Sequence, residues 1–598
     1  MSFVGALARP LSPLGRWILG MEHAFERARA SEKAVDDTRL RIFFVLALFG
    51  FGFVTLGLGA TRAAIFSPWG HGVEITPPAP NARAELTDRN GEILAIDEPR
   101  YGLYVDPHEM VHKADVRAAL LAAMPAISPA KLDHILASDK RQYVIGALTP
   151  EQQAQIHDLA LPGVSFEEEE GRAYPLDSLA AHLIGFSSRD GVGLAGAEKA
   201  FDAPLRAPGA KPLALSIDLR VQGALENELS QTSQALGVQD AVGMVINVRT
   251  GEILGMASWP TFDANAAGAS DPARMVNHAA ATVYEPGSVM KVFTLAMGLD
   301  SGVATPDTMF DVATPLVLPG QTIHDYDKGD AQLSLAHVFT HSSNIGAARL
   351  GLLAGADRMS QYYHAFGLFN AAPSELTESA RPLTARALTP NIVASMSFGH
   401  AISVTPLAIA TGMSAILDGG VYRPLTLKRL DPGQAPAAGR RIIQDSTSAT
   451  MLRLMRMNVT EGTGTRADAL GLRVGGKTGT ATKLVHGHYV EGKNAANLAS
   501  FAAIFPTDGP PPSGAPATDQ DRYLVLIMLD EPKPVLADSG VTSGGFTAAP
   551  AAGRVIDRIA PFLGVRRVIL ASDLSRKSGA SANGTAGAGA DQLGANER

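Results

Sequence analysis

The sequence predicts an α/β (α+β) fold for the largest domain, with one sheet assembled from both ends of that domain and helices packed on it. From about residue 213 onward, strand patterns come first, helical patterns dominate the middle, and strand patterns return before a final helix. The predicted segments are a helix at 218–229, a hairpin of strands 243–248 and 252–257 across 249–251, helices within 289–420, strands at 472–481, 498–506 and 523–529, and a helix at 549–563.

Length and composition exclude several classes of protein. With 598 residues the chain is too long for one domain, and it has ample material for a large core. The formal net charge of -8 and the pI of about 6.0 give no sign of a nucleic-acid-binding surface. The chain has no cysteine, so disulfides, thiolate metal sites and cysteine nucleophiles are excluded.

The N-terminal region predicts a membrane anchor. Basic residues crowd positions 1–41, and an uncharged run then extends from Ile42 to Ala60. A helix needs roughly 20 such residues to cross a bilayer, whereas a cleaved signal core has about 7–15 and lies nearer the N-terminus. The positive-inside rule places the N-terminus in the cytoplasm and everything after Ala60 outside. We therefore predict a transmembrane helix at 42–61.

A serine and a lysine three residues apart form the first candidate catalytic pair. Pro286-Gly287 breaks the preceding segment and a helical pattern follows. Since residues i and i+3 share a helix face, Lys291 lies one turn from the Ser288 hydroxyl and can take its proton. A second S-x-x-K pattern, Ser128 to Lys131, predicts only a helix start, with serine as N-cap and proline in the first turn.

Two further motifs follow Ser288 in order. Ser342 and Asn344 form an S-x-N pattern, and Lys477-Thr478-Gly479 forms K-T-G, which occurs once. Each motif is weak alone. The ordered set of three, in an exported domain, is the signature of penicillin-binding proteins and serine β-lactamases.

From Arg83 to about residue 565 the chain resembles a class B, monofunctional penicillin-binding protein. Glu285, together with Asp530-Glu531-Pro532, is more similar to the cell-division branch than to the rod-elongation branch. The segments that carry the wider resemblance are 83–95, 172–196, 282–288, 403–407 and 474–477.

The resemblance implies a fold and a division into domains. The fold is a penicillin-binding, serine β-lactamase-like transpeptidase domain with an antiparallel sheet flanked by helices, preceded by a mainly β, elongated pedestal domain and one transmembrane helix. The predicted parts are a cytoplasmic segment at 1–41, the membrane helix at 42–61, a stalk linker at 62–82, a pedestal (dimerisation-type) domain at 83–210, the transpeptidase domain at 211–565, and a disordered tail at 566–598, with a second disordered segment at 507–520.

The resemblance also implies residue roles. Ser288 is the nucleophile and Lys291 the general base, which must be neutral part of the time; burial and the nearby Lys477 lower its pKa in that direction. Ser342 relays the proton to the departing amine, and Asn344 orients Lys291 or the substrate amide. The residues implied to hold the substrate and its terminal carboxylate are Lys477, Thr478, Gly479 and Thr480, and the backbone N–H groups of Ser288 and Thr480 are implied to form the oxyanion hole.

The implied reaction is a D,D-transpeptidation. The donor is a peptidoglycan stem peptide ending in D-Ala-D-Ala, whose terminal D-Ala leaves as the acyl-enzyme forms. The acyl group then passes to an amine on a neighbouring stem and closes the cross-link. The implied partners are nascent lipid-linked glycan, a membrane-embedded glycan-polymerising glycosyltransferase, other division proteins and β-lactam antibiotics. No cofactor, metal or nucleic acid is expected, and the expected location is the cytoplasmic (inner) membrane with the catalytic domain outside.

Several single motifs have other interpretations. Gly471 to Thr478 also fits the P-loop pattern, but that site needs a helix to begin at the lysine, and the residues after Lys477 predict a strand. His486 and His488 form a possible metal pair, although two histidines beside glycine in a hairpin are usually solvated. Ser288 could be a helix cap only, and Ser342 and Asn344 could cap the helix predicted from Ile345 to Leu353.

Other functions share parts of the pattern. A serine β-lactamase needs rapid deacylation, and Glu375 and Glu378 do not match the glutamate loop of the class A enzymes. A β-lactam sensor needs a cytoplasmic signalling domain and several spans, which the sequence does not predict. A rod-elongation transpeptidase and a catalytically silent division scaffold remain open alternatives.

Overall fold

The computed structural model describes residues 83–569, with gaps at 189, 327–329, 432, 486–487, 490–495, 509–520 and 535–540, and a few residues between 23 and 56. Most of the predicted membrane span at 42–61 and nearly all of the tail lie outside the described residues. Within the described part of the chain, no helix has the length and apolar character needed to cross a membrane. The chain divides into units 1–80 and 81–598, and the second unit contains both of the domains that the structure describes.

The first domain of this unit is built around one long strand. Strand β2 pairs antiparallel with β1, β3 and β4, and β1 also pairs in parallel with β5. The chain turns at Asn90-Gly91, where the Asp88 carboxylate accepts hydrogen bonds from the backbone N–H groups of Asn90 and Glu92. The strands are β1 Leu86–Thr87, β2 Ile93–Val105, β3 Gln142–Leu148, β4 Val164–Ala173 and β5 Leu213–Ala214.

The short helices of this domain pack in two places. Those between 113 and 157 enclose a separate small core with the sheet, whereas those between 181 and 205 contribute to a larger core shared with the rest of the unit. Ser128 caps the second helix by accepting from the backbone N–H of Lys131, so the cap interpretation of this S-x-x-K copy is confirmed. The helices are α1 Lys113–Ala123, α2 Pro129–Leu136, α3 Pro150–His157, α4 Ala181–Ile184, α5 Gly196–Ala200 and α6 Asp202–Leu205.

The second domain contains a five-stranded antiparallel sheet in the order β16-β19-β20-β6-β7. Two strands come from the start of the domain and three from its end, as the sequence predicts, and β16 lies at one edge. The strands of this domain are β6 Asp240–Asn247, β7 Ile253–Trp259, short pairs β8 Met309–Asp311, β9 Leu316–Leu318, β10 Gln321–Ile323, β11 Gln332–Ser334, β12 Leu383–Thr384, β13 Ile402–Ser403, β14 Val421–Tyr422 and β15 Arg440–Arg441, then β16 Gly475–Thr482, β17 Leu484–Val485, β18 His488–Tyr489, β19 Asn497–Phe505 and β20 Tyr523–Asp530.

Helices pack on both faces of this sheet. The helices are α7 Leu219–Leu236, α8 His278–Ala281, α9 Lys291–Asp300, α10 Leu335–Thr340, α11 Asn344–Ala354, α12 Ala356–Ala365, α13 Pro390–Met396, α14 Pro406–Leu417, α15 Asp445–Glu461 and α16 Ala548–Ile559. Helices α7 and α16 cover one face, and α9 and α14 belong to the core on the other. Successive side chains of a strand point to opposite faces, so β20 contributes alternately to both cores.

A buried ion network closes the first domain. Glu198, which is fully buried, binds the guanidinium groups of both Arg83 and Arg172. Arg172 also bonds Asp97 at 2.9 Å, and Arg83 bonds Asp202 at 2.6 Å. The network joins the start of the described domain to β2, β4 and the short helices.

Replacing Glu198 by Gln removes the carboxylate that two buried guanidinium groups share. Breaking a buried ion pair typically costs about 3–5 kcal/mol, so we expect a loss of that size in the free energy of unfolding. Urea unfolding of the full chain measures it. The control is Arg117→Ala, which removes an exposed ion pair with Asp133 and should leave the unfolding midpoint unchanged. If both variants unfold at the same urea midpoint, the buried network does not contribute the predicted free energy of unfolding.

Candidate active site

Ser288 lies in a tight turn immediately before α9. Residues Gly287–Met290 form a single 3₁₀ turn, and Gly287 has a φ of 53°, which favours glycine. A Cβ atom at Gly287 would lie 2.8 Å from the Thr480 carbonyl oxygen on β16. The turn is held from behind by a hydrogen bond from the Gly287 N–H to the Gly399 carbonyl, at 3.2 Å. The serine hydroxyl is therefore presented against the edge strand of the sheet.

Lys291 is fully buried, and its amine contacts Ser288 and both S-x-N residues. Its Nζ lies 2.8 Å from the Ser288 Oγ, 3.1 Å from the Ser342 Oγ and 2.7 Å from the Asn344 Oδ1. It also donates to the Ser342 carbonyl at 2.6 Å. Burial, and then the charge of Lys477, lower the pKa of Lys291 well below its usual value, and Asp325 opposes them. The lysine is thus placed and tuned to accept the serine proton.

The S-x-N residues lie in the connection between α10 and α11. Ser342 has a φ of 59°, an uncommon conformation for a residue other than glycine, and this turn brings both its hydroxyl and its carbonyl to Lys291. The cap of α11 is Ser343, which accepts from the Gly346 N–H at 2.9 Å. The interpretation of the Ser342 and Asn344 side chains as helix caps is therefore wrong.

Lys477 approaches the same serine from the edge strand. Its Nζ lies 3.0 Å from the Ser342 Oγ and 5.7 Å from the centre of the Phe339 ring. Burial lowers the pKa of Lys477 to about 7. Ser342 therefore bridges the two lysines, and one proton can pass between Lys291 and this hydroxyl.

The other K-T-G residues shape the strand beside Ser288. The Thr478 hydroxyl lies 2.7 Å from that of Thr463, and the exposed Thr480 accepts from the Gly544 N–H at 3.1 Å. Gly479 has no room for a side chain, because a Cβ atom would lie 2.1 Å from the Ser500 Oγ. Since β16 continues through Thr482, no helix begins at Lys477 and the P-loop interpretation is wrong.

Asp325 is a site residue that the sequence analysis missed. Its carboxylate accepts from the Ser343 hydroxyl and the Asn344 N–H, each at 2.5 Å, and from the Ile345 N–H at 2.9 Å. These bonds fix the N-terminus of α11 and thereby Asn344 beside Lys291. Asp325 belongs to no recognised motif. Its position in the chain before the S-x-N pattern is the one sequence feature that could have indicated a role at the site.

Glu285 supports the site by holding the 399–404 segment, a role that its position before Pro286-Gly287 in the sequence did not reveal. Its carboxylate accepts from the Ala401 N–H at 3.0 Å, and its other oxygen lies 4.0 Å from the His400 Nδ1. Tyr284 next to it exchanges two backbone hydrogen bonds with Val404. The 399–404 segment therefore braces the turn that carries the nucleophile.

The described residues contain no group of three or more histidine, cysteine or carboxylate side chains arranged for a metal ion. His488 lies in β18, and His486 lies outside the described residues. The Lys291 Nζ lies within hydrogen-bond distance of both the Ser288 and the Ser342 hydroxyls, a geometry in which the amine can take the Ser288 proton and the oxygen can attack a carbonyl carbon.

Comparisons with known proteins identify the family. The model of the penicillin-binding protein transpeptidase domain matches residues 241–556, and that of the penicillin-binding protein dimerisation domain matches 78–212. The chain therefore belongs to the penicillin-binding protein transpeptidase family, as a class B member, and this part of the sequence-based assignment is confirmed.

Individual relatives agree with this assignment. The chain is 51% identical over 567 residues to a probable peptidoglycan D,D-transpeptidase FtsI of Caulobacter vibrioides, covering 93% of this chain and 95% of that protein. It is 30% identical to a probable peptidoglycan D,D-transpeptidase PenA of Neisseria gonorrhoeae, covering 78% and 83%. A peptidoglycan synthetase structure from Bifidobacterium adolescentis has a TM-score of 0.60 at 22% identity, covering 82% of this chain and 96% of that one, which shows the fold.

Replacing Asp325 by Asn should slow acylation and move its pH profile. Losing charge-assisted hydrogen bonds to α11 typically costs about 1.5–3 kcal/mol, which corresponds to roughly 10- to 150-fold in the rate of penicillin acylation. Asp325 raises the pKa of Lys291, so its removal should shift the acid limb of the profile to lower pH. Stopped-flow labelling with a fluorescent penicillin measures both.

The control for this variant is Asp307→Asn, which changes an exposed carboxylate. It should leave both the rate and the profile unchanged. A slow Asp325→Asn variant whose acid limb stays in place would show that Asp325 acts on folding alone and not on the charge of Lys291.

Proposed function

We propose that this protein is a peptidoglycan D,D-transpeptidase that cross-links stem peptides through an acyl-serine intermediate during septal wall synthesis. The observation that carries the proposal is the buried Lys291 amine, 2.8 Å from the Ser288 hydroxyl and bonded to both S-x-N residues. The relatives named FtsI and PenA are described as peptidoglycan D,D-transpeptidases, which supports the same substrate class here.

In the acylation step, neutral Lys291 takes the Ser288 proton as the Oγ atom attacks the carbonyl carbon of the penultimate D-Ala. The backbone N–H groups of Ser288 and Thr480 stabilise the oxyanion, each worth about 3–4 kcal/mol in comparable sites. The C–N bond to the terminal D-Ala then breaks. Ser342 passes the proton from Lys291 to the departing amine, and free D-Ala leaves.

In the second step the acceptor amine attacks the ester carbonyl carbon. The C–O bond to Ser288 breaks, the amine gives up a proton through the same relay, and the Oγ atom is protonated again. The new amide bond is the cross-link. Asn344 keeps Lys291 in position throughout, through its 2.7 Å contact with the amine.

Recognition of the donor falls to the K-T-G strand. Lys477, Thr478 and Thr480 hold the terminal carboxylate, and Gly479 lets the strand approach the Ser288 turn. A carboxylate beside Lys477 favours its protonated form, so bound substrate opposes the effect of burial on its pKa. The substrate thereby maintains the charge that binds it.

A β-lactamase is the main competing function. It would need a base for rapid hydrolysis of the acyl-enzyme, and the sequence already argues against Glu375, which does not match the class A glutamate loop. Its carboxylate accepts from the Thr426 hydroxyl at 2.6 Å and from the Leu427 N–H at 2.9 Å, so it is engaged away from Ser288. Slow deacylation, and with it transpeptidation, is favoured.

Anchoring and partners complete the proposal. The apolar run at 42–61 anchors the protein in the cytoplasmic membrane, with residues 1–41 inside and both described domains outside. A class B protein has no polymerising domain, so a membrane-embedded glycosyltransferase must supply glycan strands. The first described domain is the expected contact for that enzyme and for other division proteins.

Labelling the full chain with a fluorescent penicillin tests the chemistry. The wild type should give a stable adduct on a denaturing gel. Ser288→Ala should give none, because alanine has no hydroxyl oxygen with which to form the acyl ester. Ser128→Ala, at the second S-x-x-K copy, is the matched control and should label normally. If Ser288→Ala labels like the wild type, the nucleophile is elsewhere; if nothing labels, the scaffold function is favoured.

Depletion in the source bacterium tests the septal role. Cells that lose a division transpeptidase continue to elongate without dividing, so depletion should give filaments, and a complementing Ser288→Ala copy should not restore septa. Microscopy of cell length and width measures the outcome. Widened or rounded cells of normal length would assign the enzyme to elongation instead.

A further inference from the structure

A cavity lies between the two described domains, away from Ser288. It has a volume of about 310 Å³, is open to solvent on one side, and is bounded by α7, the end of β7 and the 174–180 segment, which we call the junction loop. Leu176 and Leu179 of the junction loop, Leu229 of α7 and the Trp259 ring form its apolar walls. Glu226 of α7 is the charged side chain in its lining.

The Glu226 carboxylate is only partly satisfied. Its Oε1 atom accepts from the Gln222 Nε2 and from the Ala180 N–H, each at 2.7 Å. Both donors are neutral, and within the described part of the chain no hydrogen bond reaches the Oε2 atom. No positively charged side chain contributes to its pKa, which burial raises to about 7. A largely buried carboxylate without a cation is costly, because buried charges are normally paired.

We infer that this cavity binds a small organic ammonium ion, whose N–H groups bond Glu226 Oε2 and whose apolar body lies against Leu176, Leu179 and the Trp259 ring. A primary ammonium supplies both the missing charge and the missing donor, and an indole face attracts cations. A metal ion fits less well, since the lining offers a single carboxylate and the described residues hold no group of three or more histidine, cysteine or carboxylate side chains arranged for a metal.

Occupation of the cavity would act on the contact between the two domains. The carboxylate that receives the ammonium also holds Ala180 of the junction loop. The second domain holds the same loop at other points: Asn265 exchanges hydrogen bonds with the Tyr174 backbone, and the Thr261 hydroxyl donates to the Ser178 carbonyl. A ligand at Glu226 therefore stabilises the joined arrangement and raises the unfolding temperature by mass action.

The test is a titration of the full chain in detergent with n-butylammonium chloride. We expect a saturable change in Trp259 fluorescence, read in a Trp17→Phe, Trp69→Phe background, and a rise in the unfolding midpoint. With a carboxyl pKa of about 7, binding should be about tenfold weaker at about pH 6 than at about pH 8. Neutral n-butanol should bind far more weakly, and potassium chloride controls for ionic strength.

Glu226→Gln should abolish the response, and Glu461→Gln, at an exposed carboxylate elsewhere, should retain it. Ser230→Leu, which fills part of the cavity and keeps the Glu226 carboxylate, should also abolish the response. This second variant keeps the test decisive if Glu226→Gln does not fold. Circular dichroism checks the fold of each. The inference is overturned if n-butylammonium gives no saturable response at about pH 8, if Glu226→Gln responds like the wild type, or if n-butanol binds equally well.

Discussion

The rest of the site depends on one constraint, which is that the Lys291 amine is buried away from water. A lysine in water is protonated at neutral pH and cannot act as a base, whereas a buried one favours its neutral form. Here burial has the largest effect on its pKa and the charge of Lys477 adds to it. The fold must therefore hold two lysine amines in its interior with few compensating anions.

The architecture meets this requirement by joining parts of the chain that are far apart in sequence. Lys291 begins a helix inside the larger core, Ser342 lies in a helix–helix connection, and Lys477 lies on the edge strand of the sheet. An edge strand leaves one side free for the nucleophile turn, and Gly287 and Gly479 allow the two to approach closely. The geometry of the site follows from this single packing contact.

The sequence predicted those parts of the site that local spacing or a motif determines. The Ser288–Lys291 contact follows from helix periodicity, and the sheet follows from strand patterns at both ends of the domain. The cap at Ser343 and the carboxylate of Asp325 could not be predicted in this way, because both depend on a left-handed turn and on a loop brought in by the tertiary fold. The burial of Glu226 without a neighbouring cation likewise could not be predicted, because it depends on the contact between the two domains.

The unfavourable features of the protein are concentrated at sites where chemistry or binding needs them. Ser342 holds an uncommon backbone conformation, Lys291 and Lys477 have buried amines, and Glu226 has a largely buried carboxyl group. The free energy that offsets them comes from elsewhere, mainly from the two cores on either side of the sheet and from burial of the first domain's own core. Selection for stability alone would favour other residues at each of these positions, and we expect the roles proposed above to maintain them.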